Sequence, residues 1–254
     1  MNEYLAVRPR ADALLRLFCF HHAGAGATAY AGWAARIGGD VSVVPVRLPG
    51  RERRLGEPRI TDAHRLFDEL DQHLGATLEQ GPYAFYGHSL GALVAHGFAQ
   101  HLTAAGLRPP EALVVGACTA PHLASGLTSS ADLPDDQLLR ILASFDGVPA
   151  ELHTRPAWLR TMLAITRADL MLGRSLREAA RDALPCPLWA FAGQGDQIAV
   201  PAAVAGWKRW TTSSFRFRTL PGGHFFIRDR TFPRLLGEEL TSLTAPARAQ
   251  PAPY

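Results

Sequence analysis

The chain has 254 residues, of which 47% are hydrophobic and 19% charged, enough to bury the core of one domain that carries an insertion. A formal charge of +3, with acids and bases interspersed, offers nucleic acid no basic patch, and no run approaches the roughly 18 apolar residues of a membrane span. Residues 1–10 lack the basic-then-apolar order of a signal peptide, so the chain is expected in the cytoplasm with Cys19, Cys118 and Cys186 reduced in its core.

Residues 14–20 form the first strong apolar run, a strand that leads into the small-residue loop 21–27. A helix is expected over 30–37, a β-branched strand over 41–48, and a helix over 60–78 from the spacing of Leu66, Phe67, Leu70 and Leu74. The next strand begins at Tyr83 and stops at Gly87-His88-Ser89-Leu90-Gly91. Beyond it Ala92, Ala95, Ala99 and Leu102 share one face of a helix that ends near Gly106. Residues 112–118 are another buried strand. Residues 122–184 then break the alternation with helical pieces, one opening at Asp135 and Asp136 and one carrying Trp158, Met162 and Ile165 at helix spacing. A strand over 187–193, a helix over 200–210, a strand at 215–220 and a helix over 232–243 complete the pattern. This is the α/β pattern of a mostly parallel central sheet flanked by helices. The core is expected over 1–121 and 185–243, a helical lid over 122–184, and a flexible tail over 244–254.

Gly87-His88-Ser89-Leu90-Gly91 between a strand and a helix fits a nucleophile elbow, a bend sharp enough to push a serine Oγ out at the top of a sheet. A serine needs a base, and the order Ser, acid, His along such a chain leaves few candidates among ten histidines. Seven lie at or before His101, while His122 and His153 precede any acid at a strand end. His224 remains, in a Gly-Gly-His loop after the strand at 215–220. Asp196 stands just past the strand over 187–193 and is the expected partner that fixes the imidazole tautomer. No Asp or Glu lies between Ala117 and Ala131 to compete, and Asp169 and Asp146 are the fallbacks. The oxyanion donors are expected from the backbone N–H of Leu90 and an N–H of the first loop, that of Ala23. The loop lacks the Lys-Ser, Lys-Thr or G-x-G-x-x-G signal of a phosphate cradle. Within the insertion, Trp158, Met162 and Met171 are candidates for lining an aliphatic acyl chamber.

Phe18-Cys-Phe-His-His-Ala-Gly-Ala-Gly26, Leu48-Pro-Gly-Arg-Glu-Arg-Arg54, Gly87-His-Ser-Leu-Gly91, Arg167-Ala-Asp169, Gly195-Asp196 and Gly222-Gly-His-Phe-Phe226 together resemble the type II thioesterases. These are free-standing α/β-hydrolase enzymes that accompany polyketide synthases and nonribosomal peptide synthetases. The resemblance implies removal of stalled acyl groups from the phosphopantetheine arms of acyl or peptidyl carrier domains, with no metal and no cofactor. It places Ser89, Asp196 and His224 in the triad and Ala23 with Leu90 in the oxyanion hole. Arg51, Arg53 and Arg54, in the loop after the second strand, are candidates for receiving the acidic carrier domain, and the protein is expected to be a monomer. The loop reads Ala-Gly-Ala-Gly where a Gly-Gly pair is usual, and no tyrosine follows closely after Asp169. A carboxylesterase would use the same triad, and a carrier-binding scaffold without catalysis is the alternative of a different class.

Overall fold

The computed structural model describes residues 2–148 and 154–244. Six parallel strands form one sheet in the order β2-β1-β3-β4-β5-β6. They are β1 (Leu15–Phe20), β2 (Val41–Pro45), β3 (Tyr83–His88), β4 (Leu113–Gly116), β5 (Leu188–Gly193) and β6 (Phe215–Leu220). The first five are buried at every position, as continuous apolar runs must be when helices cover both faces of a parallel sheet. β6 is the exposed edge, where Arg216 and Arg218 pair with Glu239 and blunt the open ladder.

Successive strand residues point to opposite faces, so one apolar run feeds two cores. Phe18, Phe20 and Phe85 pack with α1 (Ala63–Leu78) and α2 (Leu90–Ala104) on one side. Leu15, Leu17 and Cys19 pack with Tyr30, Trp33 and Phe232 on the other, beneath α7 (Phe232–Thr244). α2 is buried along most of its length and not merely on its alanine face, because it lies between the sheet and the insertion. Asp62 starts α1 by accepting the Arg65 N–H at 2.8 Å. All three cysteines are buried and unbridged.

Two expected helices are shorter than the spacing implies. The helix expected over 30–37 is reduced to a 3₁₀ turn, Ala27–Tyr30, that reaches only its first residue; turns follow, and Gly32 at φ +75° prevents extension. Over 200–210 an α-helical turn, α6 (Pro201–Ala205), tightens into the 3₁₀ segment Gly206–Trp210. The tighter winding stacks Trp207 and Trp210 on one side, where their indole N–H groups reach Cys118 O at 2.7 Å and His122 Nδ1 at 3.0 Å.

Between β4 and β5 run α3 (Gly126–Ser129), α4 (Asp135–Ala143) and α5 (Pro156–Ala179), with no strand among the described residues. This segment has its own small core of Ala131, Leu138, Leu142, Leu163 and Leu170. The far end of α5 is fixed to the sheet domain by Arg177, which donates to the carbonyls of Thr119, Ala120 and Leu123 at 2.9, 3.0 and 3.1 Å. Of the expected tail, only Thr244 lies inside the described residues, as the end of α7; residues 245–254 and His153 lie outside them.

Candidate active site

β3 ends in a bend that only particular residues permit. Ser89 sits at φ 54°, ψ −115°, a strained conformation for a residue with a side chain. A Cβ on Gly87 would lie 2.1 Å from Gly91 O, and one on Gly91 would lie 1.9 Å from Phe20 O. Both glycines are therefore required by backbone that cannot yield. Two strands away, β5 and β6 continue their pairing into the loops beyond: Gln194 N–H donates to Leu220 O and Gly195 N–H to Gly222 O, each at 2.8 Å. A Cβ on Gly193 would lie 2.2 Å from Gly223 O, so this approach also depends on glycine. The consequence is that Asp196 and His224 emerge side by side.

His224 Nδ1 lies 2.9 Å from Asp196 Oδ2, and His224 Nε2 lies 3.1 Å from Ser89 Oγ. The other carboxylate oxygen, Asp196 Oδ1, accepts the N–H groups of Ile198 and Ala199, both at 2.9 Å. Because a carboxylate only accepts, the bond to Asp196 Oδ2 places the proton on Nδ1 of His224 and leaves Nε2 facing the serine as an acceptor. All three side chains are buried. The neighbouring Phe145 and Phe225 meet the imidazole edge-on, with centroids at 5.4 and 5.2 Å.

His88 points away from Ser89, as the elbow requires, but it is not idle. Its Nε2–H donates to His224 O at 2.8 Å and its Nδ1 accepts from Tyr86 OH at 3.0 Å. Burial drives its pKa well below the usual imidazole range, so it stays neutral and holds this tautomer. The elbow strand thereby grips the backbone of the residue whose ring faces the serine. The first loop approaches from the other side. Ala23, Ser89, Leu90 and His224 border one narrow space, and Leu90 opens α2, where the first amides have no intrahelical acceptor. His22, in the same loop, is held neutral by burial, its pKa pushed down to about 3.

A cavity of about 660 Å³ opens from Ser89 and His224 toward the insertion, with apolar walls from Leu142, Phe145, Met162, Ile165 and Leu170. Residues 15–239 match the family model described as the thioesterase domain. The chain belongs to the thioesterase family. The solved thioesterase RedJ of the prodiginine biosynthetic pathway in Streptomyces coelicolor is 35% identical, with a TM-score of 0.81 over 92% of this chain and 89% of that one. The type II thioesterase BorB of the borrelidin biosynthetic cluster is 28% identical, with a TM-score of 0.81 over 95% and 98%. A protein named linear gramicidin dehydrogenase LgrE, of Brevibacillus parabrevis, is 34% identical over 227 residues, spanning 88% of this chain and 86% of that protein. This thioesterase is thus a hydrolase of the α/β-hydrolase fold, similar to type II enzymes of polyketide and peptide assembly.

The other candidate residues of the thioesterase divide. Trp158 and Met162 border the cavity, Trp158 at its rim and 66% exposed. Met171 does not, and the expectation for it is corrected. At 100° per residue it lies about 220° around α5 from Trp158, on the opposite side, and it is 44% exposed there. Arg51 and Arg54 also need correction as surface contacts. Arg51 is 4% exposed and forms a two-pronged ion pair with buried Asp169; Arg54 is 6% exposed, pairs with Glu57 at 2.7 Å and lies over the Tyr4 ring. Arg53 alone of the three is exposed. Asp169, weighed only as a fallback acid, faces the first loop instead of His224. Among the described residues no helix is long and apolar enough to cross a membrane.

Proposed function

We propose that this thioesterase uses Ser89, His224 and Asp196 as a catalytic triad to clear acyl groups from the phosphopantetheine arms of acyl or peptidyl carrier domains. The observation that carries the reading is the unbroken chain Ser89 Oγ, His224 Nε2, His224 Nδ1, Asp196 Oδ2, at 3.1 and 2.9 Å, opening onto an apolar cavity. His224 takes the serine proton as Oγ attacks the thioester carbonyl, and the backbone N–H groups of Ala23 and Leu90 receive the oxyanion. The arm leaves as a thiol, which needs little help because its pKa is about 8.5. Water, deprotonated by the same imidazole, then hydrolyses the acyl-serine ester. The acyl chain occupies the cavity beside Met162 and Trp158. We place the reaction in the cytoplasm, with the enzyme acting as a monomer and no metal or cofactor involved.

The reading is tested with acyl-loaded carrier protein. Wild-type enzyme releases the free acid, and Ser89→Ala lowers kcat by about 10⁵-fold or more while its thermal unfolding stays near that of wild type. Turnover by Ser89→Ala at the wild-type rate would end it. Oxygen esters of the same acyl group, if cleaved faster than the carrier thioester, would favour a carboxylesterase. Of the three candidate arginines, exposed Arg53 is the one we assign to contact with an acidic carrier. Arg53→Glu is expected to raise KM about threefold to tenfold for carrier-bound acyl groups and to leave KM unchanged for a small thioester.

A further inference from the structure

The loop that brings Ala23 to the serine has no regular structure to hold it. It is a single turn in which Ala25 N–H donates to His22 O at 3.2 Å and Gly24 sits at φ +78°. An amide meant to meet a developing oxyanion has to be in place before the reaction, because a donor that must be reoriented contributes little. Something outside the turn has to fix it.

Two side chains from distant parts of the sequence do so. Asp169, on α5, accepts the Gly24 N–H on Oδ2 at 2.8 Å. Arg51, from the loop after β2, donates to both oxygens of that carboxylate at 2.9 and 2.8 Å. The same Arg51 Nη1 donates to Ala25 O at 3.0 Å, and Nε donates to Pro49 O at 3.3 Å. One ion pair therefore holds the N–H of Gly24, which fixes the Ala23–Gly24 peptide plane, and the carbonyl of Ala25; the bond from Ala25 N–H to His22 O ties back the neighbouring His22–Ala23 peptide, which carries the Ala23 N–H. α5 closes the remaining side: a Cβ on Gly24 would come 2.5 Å from Thr166 Oγ1. Asp169 borders the same narrow space as Ala23, Ser89 and Leu90.

Stability alone does not account for charges at this place. Both partners are buried, and a buried ion pair is often replaced by matched apolar side chains without loss of stability. An apolar pair has no acceptor for Gly24 N–H and no donor for Ala25 O. We propose that Asp169 and Arg51 are positioning residues for the oxyanion loop, holding the Ala23 amide in register with that of Leu90 above Ser89. The inference rests on the acyl-serine reading given above. It also gives the insertion a second task, because α5 supports the hole as well as roofing the cavity.

The test uses the full chain, acyl-carrier substrate and an acyl trifluoromethyl ketone, which forms a tetrahedral adduct with an active serine. In the double variant Arg51→Met/Asp169→Leu, Gly24 N–H and Ala25 O lose their partners, so thermal unfolding is expected about five to fifteen degrees below wild type, with the protein folded at the assay temperature and KM within about threefold. Its kcat falls about 100-fold, the effect of losing one oxyanion donor, and affinity for the ketone falls by a similar factor. Arg51→Lys keeps the charge but not the forked geometry, and is expected to lose about tenfold in kcat at unchanged KM. Wild-type kcat in the folded double variant, or in Arg51→Lys where the double variant does not fold, overturns the inference. So does a loss of activity that only tracks the folded fraction. A fully active Ser89→Ala would overturn the acyl-serine reading and this inference with it; an inactive Ser89→Ala beside a fully active double variant overturns the inference alone.

Discussion

The cleft has two walls, and they are held in place by different forces. On the sheet side, backbone fixes the reacting groups: the elbow strains Ser89, two amides hold Asp196 Oδ1, and His88 holds the carbonyl of His224. On the insertion side, Leu142, Phe145, Met162 and Ile165 present interchangeable apolar surface from α4, the turn after it and α5, packed by dispersion and burial. Hydrogen bonds lose most of their value over a fraction of an ångström or a modest tilt, whereas apolar contacts tolerate repacking. On the proposed reading the reacting groups belong to the rigid wall and substrate size to the adaptable one, with the bond from Gly24 N–H to Asp169 as the exception that α5 carries across.

This contrast fails most visibly if the rigid wall tolerates small changes. Asp196→Asn preserves shape but turns His224 toward the wrong tautomer, and kcat for acyl-carrier hydrolysis is expected to fall about 10⁴-fold with folding retained. On the opposite wall the effect should depend on the substrate. Met162→Trp fills part of the cavity, so kcat/KM is expected to fall at least about tenfold for long acyl chains and less than threefold for acetyl, measured on the same carrier. A uniform loss across chain lengths would mean that Met162 supports the site rather than sizing it.

The smallest effect on turnover is expected at His96, which belongs to neither wall. It is buried on α2 between Trp207 and Trp210, with ring centroids at 5.2 and 5.0 Å, and burial pushes its pKa down to about 3. The unfolded chain binds a proton there below about pH 6.5, while the folded chain does not until near pH 3. Its contribution to stability is therefore complete above pH 6.5 and is lost as the pH falls from there to about 3. His96→Leu should reduce the slope of unfolding free energy against pH between 4 and 6 by about 1.4 kcal/mol per unit, read from urea titrations, and change kcat less than twofold.

The same two-wall division governs what the sequence discloses. Each element of the rigid wall is a short local pattern at the end of an apolar run, so the order Ser89, Asp196, His224 and the lack of acids between Ala117 and Ala131 narrow the choice to side chains that meet. The role of Arg51 is not local. Five arginines crowd one stretch, and nothing in that stretch says that one of them finds a carboxylate 118 residues away. Asp169 is hidden for the same reason, although Arg167-Ala-Asp169 stands out as a motif. Met171 is different, since the periodicity of α5 already places it opposite Trp158. The grip of His88 on His224 crosses 136 residues and needs coordinates to be seen.

Hydrolysis of a thioester liberates a sulfhydryl compound, which can join other sulfur groups only through a disulfide. Disulfides are opened by thiolates, and the protein keeps its own out of reach. Cys118, bordering the narrow space beside Ser89, has its acidity suppressed by burial, with a pKa raised to about 11, so at neutral pH it is held as the unreactive thiol. A disulfide that reaches this space therefore meets a sulfur with little tendency to open it.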